Sequence, residues 1–301
     1  MKALADFKEI WLVDFEFSAP PGERPVVRCM VAREVRTDRV LRLWEDQLTS
    51  LESPPYGIDF DSLFVAYYAS AEMACHLSLG WEMPNHVLDL FVEFRSQTNG
   101  LNLPCGAGLL GALSWFDLDA ISSADKEVSR ELAMRGAPYC ASERVALLDY
   151  CQSDVDSLYK LLNVMGPHLY VPRAVYRGRY MKAVARIEHC GIPVDGPTLS
   201  KLRYCWDEIK LKLIERVDER FQVYDGQVFR TERFADFLNR EDIPWPRLPS
   251  GALDLKDETF KTMAVSYPIL NDLRELRQSL SQLKLSDIAV GADVRNRCLL
   301  S

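Results

Sequence analysis

Two carboxylates interrupt an apolar run near the start of the chain, Asp14 and Glu16 within IWLVDFEF at residues 10–17. In an extended strand, alternation puts both acids on one face, roughly 7 Å apart along the backbone. Burying two such groups side by side is costly without a cation to neutralise them. Hard cations such as Mg²⁺ or Mn²⁺ take oxygen ligands, so the pair reads as a metal seat. The plain alternative is a strand end that rises into solvent. A second pair, Tyr150 and Asp154, has the four-residue spacing that stacks side chains one turn apart on a helix. There a carboxylate could complete a metal site while the phenol positions an attacking water. Taken alone, the same pair is a core tyrosine beside a solvated acid. Glu72 and Asp89 follow short apolar runs and, taken singly, are ordinary surface acids.

These residues need elements to carry them, and the first half of the chain alternates strands and helices. Strands are expected over 10–17, 26–34, 39–45, 61–68 and 87–90, the first as a buried central strand and the next two as a hairpin. A helix is expected over 69–79, closed by Gly80, with Glu72 in its first turns pointing back over the sheet edge. Asp89 then ends the next strand. Further helices are expected near 106–113 and 126–135, and a long one over 142–165, started at Ser142-Glu143 and stopped by Gly166-Pro167. Beyond 166–172 the pattern turns almost wholly helical, with candidates at 174–189, 197–221, 233–240 and 268–283.

The chain has 301 residues, 48% apolar and 27% charged, which is ordinary globular composition for about two domains. No stretch approaches ~18 uninterrupted apolar residues, so a membrane span is not expected, and the N-terminus lacks the apolar core of a secretory signal. Eight scattered cysteines without a C-x-x-C pair, and only four histidines, argue against a zinc cluster or a disulfide framework and fit a reducing cytoplasm. Cys140 and Cys151 have no histidine partner nearby in sequence and read as packing residues. Net charge is −8, but the acid excess sits in residues 1–172, and residues 173–301 are net basic. Arg173, Arg177, Arg179, Lys182 and Arg186 form a run without an intervening acid, interleaved with Tyr176 and Tyr180. On a helix that run offers phosphate contacts and base stacking, or else an ordinary solvated face. Phosphate-loop, dinucleotide-binding and nucleophile-elbow motifs are all missing.

Order and spacing together resemble the DEDD exonuclease superfamily, specifically the proofreading domain of family A (DNA polymerase I-like) DNA polymerases. Asp14-x-Glu16 is similar to that family's first motif. Tyr150 and Asp154, in LLDYCQSDVDSLYKLL, are similar to its third, of the tyrosine subclass. The second motif, usually H-N-x-x-F-D, is matched by Tyr67-Tyr-Ala-Ser-Ala-Glu72, where glutamate stands for aspartate and the asparagine is absent. YMKAVARIEHCGIPVD resembles the segment entering the polymerase domain, and LRELRQSLSQLKLSD a thumb helix. The resemblance implies an α/β fold with a ribonuclease H-like mixed five-stranded sheet flanked by helices. It implies an exonuclease domain at 1–170 and a mostly α-helical, thumb-like domain at 171–301. GADVRNRCLLS then falls about where a palm would begin, and the remainder of a polymerase polypeptide is a candidate partner.

The implied activity is 3′→5′ hydrolysis of DNA from single-stranded 3′ ends with two Mg²⁺ or Mn²⁺ ions. Asp14 would bridge the ions, Glu16 and Asp154 would hold the first, Glu72 would serve the second, Tyr150 would orient the water, and Asp89 would support the site. A nucleic-acid-binding polymerase segment without nuclease activity is the alternative, and a ribonuclease of the same superfamily a third.

Overall fold

A computed structural model describes residues 3–119, 128, 131–282 and 284–297. Five strands form one mixed sheet: β1 (Glu9–Ser18), β2 (Val26–Glu34), β3 (Val40–Trp44), β4 (Ser62–Ala66) and β5 (His86–Asp89). Their order is β3-β2-β1-β4-β5. β1, β2 and β3 pair antiparallel, whereas β4 and β5 run parallel to β1. This is the ribonuclease H-like sheet expected from the sequence. The strand seen as central there is central here, because its apolar residues face both ways.

Alternation along β1 sorts those residues. Ile10 and Leu12 enter one core with Leu147, Cys151, Val155 and Leu158. Trp11, Val13 and Phe15 enter a second core with Ala69, Met73 and Cys75. The helices that supply these partners are α1 (Glu45–Thr49), α2 (Ala69–Leu79), α3 (Leu90–Gln97), α4 (Leu109–Trp115), α5 (Ala141–Met165) and α6 (Val171–Cys190). α4 and α5 cover the first face; α2 and α6 cover the second. α5 starts where Glu143 reaches back to accept from the Cys140 amide at 2.8 Å. α1 and α3 were not expected as separate helices; of the helix expected near 126–135, residues 128 and 131–135 are helical and the rest lie outside the described residues.

The compact units do not follow the expected division into 1–170 and 171–301. One compact unit comprises 1–193 together with 290–301, and the other 194–289. α6 belongs to the first unit because it is locked onto the β5 edge. Gly178 lies so close that a Cβ there would be driven into the Val87 carbonyl. Flanking Gly178, Arg177 forks onto the buried Glu93 of α3, with Nε to Oε1 at 2.7 Å. Lys182 Nζ donates to the Pro84 carbonyl at 2.7 Å. The last described residues return to the same unit: Arg295–Asn296 pairs with Ile192–Pro193, and Arg297 donates to Gly22 O at 2.9 Å. Gly178→Ala should therefore lower unfolding free energy by about 2–3 kcal/mol in urea titrations, the cost of forcing a methyl into a filled contact. An unchanged midpoint would mean that α6 is not seated there.

The second unit contains α7 (Gly196–Phe221), α8 (Thr231–Arg240), α9 (Asp257–Ser266) and α10 (Asn271–Gln282) around its own core of Ile214, Phe221, Phe234, Phe237, Phe260 and Leu273. Asp195 caps α7 by accepting from the Thr198 amide at 3.1 Å. The segment expected as one helix over 268–283 is a short 3₁₀ turn, Pro268–Leu270, followed by α10, and α9 was not foreseen. Among the described residues no helix is long and apolar enough to cross a membrane, and the described cysteines are free thiols.

Candidate active site

Asp14 and Glu16 continue the Ile10–Leu12 row of β1, so they face α5. That helix brings Asp154 onto them. One oxygen from each of Asp14, Glu16 and Asp154 lies within 4.8 Å of the others. Leu147, Cys151, Val155 and Leu158 form the buried stripe of α5 that sets its rotation, and Asp154 lies on it at 7% exposure. Tyr150, one turn earlier, hydrogen-bonds Asp154, and its phenol is held protonated by burial and by the charges of Asp154, Glu16 and Asp14. Cys151 was read as packing alone. It is buried, but its thiol also donates to the Asp14 carbonyl oxygen at 3.2 Å and so ties α5 to the strand under the acids.

Glu72 arrives from the other helical layer. β1 outruns β4: their pairing extends only to Leu12 and Val65. Beyond that point β1 has an uncovered edge on this side, and the Phe15 amide donates to the Glu72 carboxylate. Glu72 is 4% exposed, and burial, then Asp14, then Glu16, hold its carboxyl well above the usual carboxylate range. Its Oε2 and the Ser70 hydroxyl, both buried, have no hydrogen-bond partner among the described residues. Glu72 is not one of the three acids whose oxygens close to within 4.8 Å. Asp14 and Glu16 nevertheless act on its carboxyl through their charge.

Asp89 explains how α2 is placed. It ends β5 and caps α3. Its Oδ1 accepts from the amides of Phe91 at 2.9 Å and Tyr68 at 3.0 Å, and its Oδ2 from Ala69 at 2.8 Å. Tyr68 sits in left-handed backbone at φ 74°, uncommon for a residue with a side chain. The Asp89 contacts hold that turn, and with it the start of the helix bearing Glu72. Burial raises the Asp89 carboxyl from 3.8 to about 6 against the pull of these amides. Asp89 therefore holds the turn that starts α2 and is not one of the three clustered acids.

A carboxylate set of this kind suits a hard divalent cation. Three acids share one small volume, and a fourth, buried, offers an oxygen that no donor satisfies. The basic run on α6 divides differently from its sequence. Arg177 and Lys182 are occupied by Glu93 and by backbone carbonyls, whereas Arg173, Arg179 and Arg186 are exposed. Tyr176 and Tyr180 are 71% and 68% exposed. Sequence reading gave no role to Glu93, which carries no motif, or to Tyr68 and Ser70 within the second-motif stretch; each gains meaning only through its surroundings.

No protein-family model matches the chain, and no curated protein matches it. Among solved structures it is similar to the "POL domain of Pol1 from M. smegmatis complex with DNA primer-template and dNTP", at 13% identity with a TM-score of 0.53. The match covers 96% of this chain and 48% of that one, so the chain spans about half the length of that structure. In fold, nearly the whole chain is thus DNA polymerase I-like.

Proposed function

We propose that the chain is a divalent-metal-dependent 3′→5′ exonuclease module that hydrolyses DNA from single-stranded 3′ ends, within a polymerase I-like protein. The convergence of Asp14, Glu16 and Asp154, from segments of the chain up to 140 positions apart, carries this reading.

 Asp14 and Glu16 come from one strand and Asp154 from a helix laid across it, and only a folded sheet brings them together. When bound, Mg²⁺ or Mn²⁺ would neutralise these carboxylates and polarise the scissile phosphate and the attacking water. Asp14, Glu16 and Asp154 would hold the ions, with Glu72 serving the second. Tyr150 keeps its phenolic proton and gives it to Asp154 in a hydrogen bond, so its oxygen remains as an acceptor that can orient a water. Arg173, Arg179 and Arg186 supply positive charge for the phosphates of the strand.

The test is digestion of 3′-labelled single strands with Mn²⁺, comparing wild type with Asp14→Ala. Identical products from the two would end the nuclease reading. Parallel DNA and RNA substrates decide the class of strand. A non-catalytic nucleic-acid-binding module is the second reading, favoured by the seclusion of Glu72 outside the closest trio. It predicts strand binding without cleavage.

The raised Glu72 carboxyl adds a pH dependence. Without metal, Glu72 keeps its proton above the ordinary carboxylate range, so a binding cation must displace it. Mn²⁺ affinity should rise from mildly acidic to mildly alkaline buffer, with proton release measurable by calorimetry in buffers of different ionisation enthalpy. In Glu72→Gln that release should shrink. Equal release in both proteins would remove Glu72 from the ion site.

A further inference from the structure

A groove of about 590 Å³ opens between α3 and α6, lined by Val92, Tyr176, Arg177, Arg179, Tyr180 and Met181. Tyr176 and Tyr180 stand one helical turn apart with most of their surface in solvent. Exposing two large rings on one face is unfavourable unless something covers them. The surrounding charge says what kind of occupant fits. α6 carries no acid between Arg173 and Ile187, and Arg173, Arg179 and Arg186 are exposed on it. No acid is among the described residues that line the groove, and Glu93 behind Arg177 is 2% exposed and already spent on it. Aromatic faces set in positive charge take the bases and phosphates of an unpaired strand, because every base has a stacking face and every linkage an anion.

The wall is also firmly built. Gly178 fixes α6 on β5, the Arg177–Glu93 fork fixes it on α3, and Val92 lies in the first turn of the helix that Asp89 caps. The groove is therefore present without a strand in it.

We propose that this groove is a stacking subsite for unpaired nucleotides, with Tyr176 and Tyr180 holding bases and Arg173 and Arg179 their phosphates. The choice of a nucleic-acid strand as occupant rests on the nuclease reading above and deepens it by naming where the strand is held.

The test is the affinity of a fluorescent oligothymidylate for the full chain in EDTA, where no metal-dependent cleavage can intervene. Tyr176→Ala/Tyr180→Ala should weaken binding by about 10- to 100-fold, the usual loss for one or two stacked bases. Tyr176→Phe/Tyr180→Phe should restore it, since stacking needs the ring and not the hydroxyl. An abasic strand should bind wild type about as weakly as thymidylate binds the alanine pair. Arg173→Ala/Arg179→Ala should instead flatten the salt dependence. Because both tyrosines are exposed, circular dichroism should show the alanine pair folded. Unchanged affinity in the alanine pair, or failure of phenylalanine to restore it, overturns the subsite; unchanged affinity would leave a polypeptide partner to cover the rings. Cleavage assays are separate: a protein that binds through the tyrosines but never cleaves keeps the groove and loses the nuclease, and the reverse result does the opposite.

Discussion

Asp154→Asn should lose metal-dependent cleavage of 3′-labelled DNA by on the order of 10³-fold while remaining folded. The substitution keeps size and shape, so α5 keeps its packing. What it removes is one of three charges whose oxygens lie within 4.8 Å of one another. A carboxylate lost from such a site weakens cation binding and misplaces what remains, and several kcal/mol of transition-state stabilisation correspond to about three decades in rate. In the absence of metal the variant should melt no lower than wild type and can melt higher, since like charges repel. Mn²⁺ should raise the melting temperature of wild type more than that of Asp154→Asn. Full cleavage by Asp154→Asn would detach the acid cluster from the chemistry, and an equal Mn²⁺ shift in both proteins would detach it from metal binding.

Asp89→Ala should cost stability, not only activity, by about 4 kcal/mol, because amides of Tyr68, Ala69 and Phe91 lose a buried acceptor together. Chemical denaturation would measure it, and a loss under about 1 kcal/mol would mean that water or a relaxed turn replaces the carboxylate. Asp89→Asn is the gentler probe. It keeps an acceptor for the Oδ1 contacts and removes the titration. Burial raises the Asp89 carboxyl from 3.8 to about 6, so the folded protein holds this proton more tightly than the unfolded chain. The stabilisation from that proton is complete below about 4 and is lost as pH rises to about 6. Between those limits wild type should lose stability with rising pH relative to Asp89→Asn. Parallel curves for the two proteins would show that Asp89 does not titrate there. Since Asp89 holds the turn before Glu72, cleavage should fall with either variant only as far as the α2 start is displaced.

The strands were legible because their apolar runs are short and bounded, and the long helices because their stops are written as glycine and proline. Residues 69–79 were read to their last residue, where Gly80 takes left-handed backbone at φ 73°. α9 was missed because its buried residues, Phe260 and Ala264, are too few to set a clear period. The break at 166–172 is a helix end, and the compact unit runs on past it to 193. Gly166 and Pro167 end a helix whatever follows, whereas the assignment of α6 depends on Gly178 meeting a carbonyl ninety-one positions earlier in the chain.

The site divides in the same way. Sequence by itself determined that Asp14 and Glu16 share a face, and that Tyr150 and Asp154 share another, because each pair lies within one element whose period is fixed by backbone geometry. It could not determine that these two faces meet, that Glu72 is buried where Asp14 and Glu16 act on its carboxyl, or that Arg177 and Lys182 are spent on the protein while two tyrosines stay bare. Those facts depend on which apolar stripes pack together and on where one strand outruns its neighbour, and local periodicity carries no record of either. Tertiary packing turned two separate pairs of residues into one cluster of charge.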